Sequence, residues 1–242
     1  MAPLAATYFT TVAGLLKHAY KTNGPLLRQL GPVIGRSVAS GGVVHAFGSG
    51  HSEIIAREIV GRAGGLACVS AIGDATGGFA ENLAGYGTKL AERHDRLYGL
   101  RSGETIIVIS NSGRSASAIE VALYAKQKGL TVVGLTSAAM ARTAQTIHPA
   151  GRNLPAVADY VLDNCGVRGD AIVDIAHDVR AGPTSTLAGT MLLNLLFLEV
   201  VEWLKTNGYP LPILRSQNLP GAIESNRALV EKYAGRLSKP LA

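Results

Sequence analysis

Two apolar stretches in this chain each run straight into a turn of small residues, and each turn opens a helical pattern. The first is Val43-Val44-His45-Ala46-Phe47, followed by Gly48-Ser49-Gly50-His51-Ser52. The second is Thr105-Ile106-Ile107-Val108-Ile109, followed by Ser110-Asn111-Ser112-Gly113-Arg114-Ser115-Ala116-Ser117. A short apolar strand that feeds a helix is the unit of a parallel sheet covered on both faces, because parallel strands need a crossover and the crossover helix covers the sheet. The pattern therefore predicts an α/β fold, with strands over 43–47, 66–71, 105–110, 131–136 and 158–162.

Helical spacing fills the intervals. Tyr8, Val12, Leu15, Leu16 and Ala19 share one helical face. Asn23-Gly24-Pro25 reads as a break, with a second helix running through Ile34 to Val38. Further helices are expected over 52–62, over 116–128, before His148-Pro149, over 185–207 and over 221–235. The stretch 72–103 reads as mostly helical with glycine interruptions, and a short strand falls near 171–174. The expected architecture is a three-layer α/β/α domain on a mostly parallel five-stranded sheet, with N-terminal helices over 1–40, a core over 41–207 and a helical segment over 208–242. No linker or internal repeat divides the 242 residues.

Ligands of such folds bind beyond the carboxyl ends of the strands, where both small-residue turns lie. Backbone N–H groups at a helix start lack helical partners, and the helix dipole adds positive potential, so these turns are suited to an anion. Four serines within eight residues exceed what one helix cap requires. Their hydroxyls point to a small phosphorylated ligand. A third hydroxyl cluster, Gly182-Pro183-Thr184-Ser185-Thr186, opens the longest apolar helix. It is a cap in any case, and it also fits one shared anionic site.

Other classes fit less well. The first turn fails the dinucleotide pattern GxGxxG at Glu53, although Asp74 stands where a ribose-binding acid would sit. No glycine-lysine pair exists for a nucleotide P-loop. The net charge of +6 is spread without a basic run and aromatics are only 5%, which argues against nucleic acid. The two cysteines, Cys68 and Cys165, form no motif and fit a reducing cytoplasm. No secretory leader is visible, and Leu187–Leu204, interrupted by Thr190, Asn194, Glu199 and Glu202, reads as a buried or interface helix rather than a membrane span. The histidines lack paired ligand spacing, so neither a metal nor another cofactor is expected.

Together the GSGHS, SNSGRS and GPTSTLAGT segments resemble the sugar isomerase (SIS) family, over roughly residues 35–205. The resemblance implies phosphosugar binding. Residue by residue, Ser110, Asn111, Ser112, Gly113 and Ser115 match the family's phosphate cradle. Ser49, Gly50 and Ser52 fall near the sugar with Asn82, and Ser185 and Thr186 match the hydroxyl pair that opens the last helix. The helix start Ala188-Gly189-Thr190 is also similar to that of N-acetylmuramic acid 6-phosphate etherases, while the central stretch departs from the etherase pattern. Phosphoheptose isomerases share the broader resemblance.

Isomerisation and elimination both begin with removal of a proton next to a carbonyl. Glu81, set among apolar and glycine residues in Gly77–Gly87, is the expected base, because desolvation raises a carboxyl pKa. His51, in the first turn, and His177, beside Asp178 and before the third hydroxyl cluster, are the expected proton carriers. His45 reads as a core residue, and His94 has no supporting neighbours in the sequence. The expected activity is carbon–oxygen elimination at C3 of an amino-sugar 6-phosphate such as N-acetylglucosamine 6-phosphate. Aldose–ketose isomerisation and a non-catalytic phosphosugar sensor are the alternatives, although the 40 residues before the first strand are too few and too apolar for the DNA-binding domain of such a sensor. A homodimer is expected from the broad apolar faces of the first and longest helices.

Overall fold

The computed structural model describes residues 3–238. A long helix, α1 (Leu4–Ala39), precedes β1 (Val44–Gly48), α2 (His51–Glu58), β2 (Val69–Ile72), α3 (Tyr86–Tyr98), β3 (Thr105–Ile109), α4 (Ala116–Gln127), β4 (Thr131–Thr136), α5 (Ala138–Thr143), α6 (Leu154–Val157) and β5 (Tyr160–Asp163). A hairpin of β6 (Ala171–Ala176) and β7 (Val179–Pro183) then leads into α7 (Ser185–Thr206), and α8 (Ala222–Lys232) follows. Strands β1 to β5 form one parallel sheet in the order β2-β1-β3-β4-β5. That is the order of the flavodoxin-like doubly wound fold, and its switch point lies between β1 and β3.

Successive residues of a strand point to opposite faces, so a buried strand feeds two cores. On β3, Ile107 and Ile109 join Leu30, Ile34, Leu192 and Leu196 from α1 and α7. Ile106 and Val108 join Ala91, Ile119, Ala122 and Leu154 from α3, α4 and α6. Double coverage explains why β1 and β3 are apolar with little alternation.

The expected break at Asn23-Gly24-Pro25 does not occur. Helix α1 runs on through Pro25 and Pro32. A proline inside a helix costs ~3 kcal/mol or more, whereas burying each large aliphatic side chain returns ~1.5–3 kcal/mol. Leu27, Leu30, Ile34 and Val38 are all buried downstream of Pro25, so packing outweighs the prolines. Asn23 is buried rather than in a turn. Its Nδ2 donates to the carbonyls of Ala19 and Asp163, each at 2.7 Å, and its Oδ1 accepts from the Asp163 N–H at 2.9 Å. This pins α1 to the end of β5. Gly31 allows α1 to approach α7 closely: a Cβ there would lie 2.9 Å from the carbonyl oxygen of Glu199.

Two further expectations are corrected. The stretch after β2 is a series of turns until Tyr86, because Gly77 and Gly78 adopt φ of 61° and 97° and end any helix. The strand near 171–174 does not join the main sheet. It pairs antiparallel with β7 across a turn at His177-Asp178, where Asp178 has φ 57°. Helix α7 is long and apolar enough to cross a membrane by length and composition. Here its residues Ala188, Leu192, Leu193, Leu196 and Val200 are buried in the α1-side core.

Candidate functional site

The two small-residue turns stand side by side because β1 and β3 are paired in register, with Gly48 opposite Ile109. In the first turn, Gly50 takes φ 57° and ψ −131°, a conformation open to glycine and strained for other residues. The chain then enters α2 at His51. Above it lies the loop after β2, so close that a Cβ on Gly78 would fall 3.0 Å from the Gly50 Cα.

Asp74 organises this contact. Its Oδ2 accepts from the Ser49 hydroxyl at 2.6 Å and the Gly78 N–H at 3.2 Å. Its Oδ1 accepts from the Thr76 N–H at 2.9 Å, the Thr76 hydroxyl at 2.7 Å and the Tyr86 hydroxyl at 2.6 Å. Burial alone would raise the carboxyl pKa, but the hydrogen bonds from Ser49, Tyr86 and Thr76 hold it down at about 2. Asp74 is therefore an ionised structural anchor. Because Ser49 spends its proton on Asp74, its oxygen is left to accept hydrogen bonds from a ligand.

The second turn is fixed from behind. The Asn111 carbonyl accepts from the Ser137 N–H and the Thr136 hydroxyl, and the Asn164 amide donates to Asn111 Oδ1 at 2.8 Å. Gly113, at φ 68°, packs with its Cβ position 3.1 Å from Ala141 Cβ and Thr136 Oγ1. Its carbonyl accepts from the Leu154 N–H at 2.7 Å. The serines are largely released from structural duty. Ser115 occupies the N-cap of α4 but makes no side-chain capping bond, and its hydroxyl lies 3.4 Å from that of Ser110. The backbone carbonyl of Glu81 accepts from the Ser117 N–H at 2.8 Å in the first turn of α4. This bond docks the Glu81 segment onto the serine turn.

These elements enclose a cleft of about 540 Å³. Of the residues expected at the site, Ser49, Gly50, His51, Ser52, Glu81, Ser110, Asn111, Ser112, Ser115 and Ser185 line it. Gly113 is behind the turn, where it makes the turn possible. Asn82 is exposed and Thr186 half-buried, and neither is part of the lining. His177 sits at the tip of the β6–β7 hairpin, with a side chain 95% exposed and Nδ1 3.0 Å from Asp178. It is not among the residues that line this chain's cleft, and the hairpin that carries it forms a two-stranded sheet of its own.

Asp170 also lines the cleft and was not expected there. It takes φ 60° and caps α7. Its Oδ1 accepts from the Thr184 N–H, the Thr184 hydroxyl and the Ser185 N–H, and its Oδ2 from the Ser185 hydroxyl at 2.6 Å. The start of α7 thus already holds an anion, and the Ser185 hydroxyl is committed to it. Past Glu81, Ser112 and Met140 the cleft opens into a further space of about 500 Å³ bordered by Arg114 and Arg168. Among the described residues, no group of three or more His, Cys, Asp or Glu is gathered as a metal site.

Comparison with known proteins agrees with this architecture. The SIS domain pattern matches residues 7–137. A UPF0309 protein of Listeria innocua is 33% identical over 95% of this chain and 96% of its own length. A UPF0309 protein of Caldanaerobacter subterraneus is 38% identical over 83% and 85%. Among solved structures, a phosphoheptose isomerase from Francisella tularensis superposes with a TM-score of 0.54 at 18% identity, covering 82% of this chain and 96% of that one. The NanR protein of Vibrio vulnificus, complexed with ManNAc-6P, superposes with a TM-score of 0.54 at 14% identity, covering 99% and 72%. At such identities the superpositions speak for the fold. The match across residues 7–137 and the near full-length relatives place the chain in the SIS domain family, among its UPF0309 proteins.

Proposed function

We propose that this protein binds a phosphorylated amino sugar in the β1–β3 cleft and catalyses elimination at its C3. The observation that carries the reading is the set of hydroxyls of Ser110, Ser112 and Ser115 beside the Glu81 carboxylate on the wall of the same cleft, where the other lining carboxylate, Asp170, is already bound to Thr184 and Ser185. In this reading the serine turn receives the phosphate. Ser49, as an acceptor, receives a hydrogen bond from a sugar hydroxyl. Glu81 removes the C2 proton next to the C1 carbonyl, and the electron pair moves through the enolate to expel the C3 oxygen. His51 or protonated Glu81 protonates that oxygen as it leaves as water or an alcohol. The space beyond Glu81, with Arg114 and Arg168 on its border, supports elimination over isomerisation, since it gives room for a substituent larger than the sugar ring.

Incubation with a panel of hexosamine 6-phosphates, followed by mass analysis, tests the reaction. Elimination lowers the substrate mass by one water or alcohol. An unchanged mass with a new retention time means isomerisation and replaces this reading. In deuterium oxide, the wild type should exchange the C2 proton, and Glu81→Gln should slow turnover at least ~10²-fold with little loss of affinity. Near-normal turnover in that variant removes Glu81 from the role and leaves His51 to be examined.

A further inference from the structure

The polar groups of the β1–β3 cleft divide into two kinds, and the division follows the two faces of the sheet. The serine turn leads into α4, which packs with α3 on one face, whereas α2 and α7 both pack on the other. On the α4 side stand Ser110, Ser112 and Ser115, none of whose hydroxyls donates to a carboxylate. On the α7 side the protons are committed. The Ser185 hydroxyl donates to Asp170 and the Ser49 hydroxyl to Asp74, each at 2.6 Å, so both lining oxygens can only accept. Asp170 is itself an acceptor: three donated hydrogen bonds reach Oδ1 and one reaches Oδ2, which leaves Oδ2 a lone pair. It also fills the N-terminus of α7, so that helix start is closed to a phosphate. His51 and Ser52 complete this side, and each can donate or accept.

Charge repeats the division. Glu81 and Asp170 are the carboxylates of the lining, and no lysine or arginine is among the described residues that line it. Asp74, held ionised behind Ser49, adds a further negative charge. Arg114 and Arg168 border the space beyond Glu81 rather than the cleft, and no lysine or arginine forms an ion pair with Asp170 among the described residues. A ligand that is anionic throughout would bring its charge against these carboxylates. A ligand that is anionic at one end and cationic at the other removes the conflict.

We propose that the cleft selects a phosphosugar with a free, protonated amine, its ammonium held by Asp170 Oδ2 and the Ser185 oxygen. The inference rests on the serine turn receiving the phosphate, and it specifies the amine as unacetylated. An ammonium brings three N–H donors and a positive charge to groups that only accept. An acetamide brings one N–H, no charge and a carbonyl oxygen that itself needs a donor, which neither Asp170 nor the Ser185 hydroxyl can supply. A plain hydroxyl at the same carbon brings one donor and no charge.

The test is calorimetric titration of the full chain with three analogues of glucose 6-phosphate that lack the C1 hydroxyl and so bind without reacting. They carry at C2 an ammonium, an acetamide or a hydroxyl. The ammonium analogue should bind at least about tenfold more tightly than either of the others, the gain from one charge-assisted bond. Asp170→Asn removes the charge and keeps a residue type that tolerates φ 60°. It should bring the three affinities within about threefold of one another. Ser185→Ala leaves the Thr184 bonds to Asp170 in place and should lower the preference in the same direction. Ser112→Ala should weaken all three analogues alike, because it acts on the phosphate. An ammonium analogue that binds no better than its counterparts overturns the proposal and leaves the phosphate site standing, as does a preference that survives Asp170→Asn. Binding of none of the three overturns both.

Discussion

Several side chains at the cleft are set by which of their hydrogen bonds are already used. Ser49 and Ser185 both lie on the lining, yet each hydroxyl donates its hydrogen bond to a carboxylate, Asp74 or Asp170, at 2.6 Å. Ser112 is freer: its oxygen takes only a long bond of 3.4 Å from the Arg114 N–H. It is the hydroxyl best placed to donate to an incoming anion. Ser112→Ala is therefore expected to weaken phosphosugar binding by ~1–3 kcal/mol while leaving thermal stability near wild type. Calorimetric titration checks this, and normal affinity in that variant reduces the serine turn to a helix cap. Sequence identified the serines by their excess in one turn. It could not identify Asp74 and Asp170 as their partners, because those carboxylates come from elsewhere in the chain and meet the turns only in three dimensions.

Local propensity misleads most at α1. Asn23-Gly24-Pro25 is a break by every short-range rule, yet the helix continues because Asn23 replaces local satisfaction with bonds to Asp163, 140 residues away. Asn23→Ala removes three hydrogen bonds and leaves the half-buried Asp163 backbone groups without their Asn23 partner. A destabilisation of roughly 2–4 kcal/mol is expected, read as a shift in the urea midpoint at unchanged m-value. A loss under about 0.5 kcal/mol would mean that packing of Leu27, Leu30 and Ile34 alone carries the helix past the prolines. Sequence missed the short α6 and the strand β7 outright, and the physical reason is plainest for β7. It is exposed, holds Gly182 and Pro183, and pairs only with β6, so no buried face imprinted a pattern on it.

On the scale of the whole molecule, large apolar side chains remain exposed on several elements: Phe9 on α1, Ile54 on α2, Phe79 and Leu83 on the loop above the cleft, and Leu187 and Leu198 on α7. Phe79 is 99% exposed although it lines the cleft. We propose that these faces are covered by a second copy of the chain, because contiguous apolar surface commonly marks an interface and two-fold pairs are the simplest closed assembly. Light scattering at micromolar concentration should give a mass of at least twice the monomer's 25.1 kDa. A monomeric mass with activity retained would rule out both the pair and any site shared across it. The sequence by itself determined the alternation of strand and helix, the two turns at strand ends and the serines within them. These follow from periodicity and turn chemistry, which act over a few residues. Only the tertiary structure decided that α1 is unbroken, that His177 stands apart from the cleft, that two carboxylates hold the hydroxyls, and that His45, His94 and Glu104 form a buried chain. Each of these depends on groups far apart in sequence, whose hydrogen bonds and burial exist only after the sheet has brought them together.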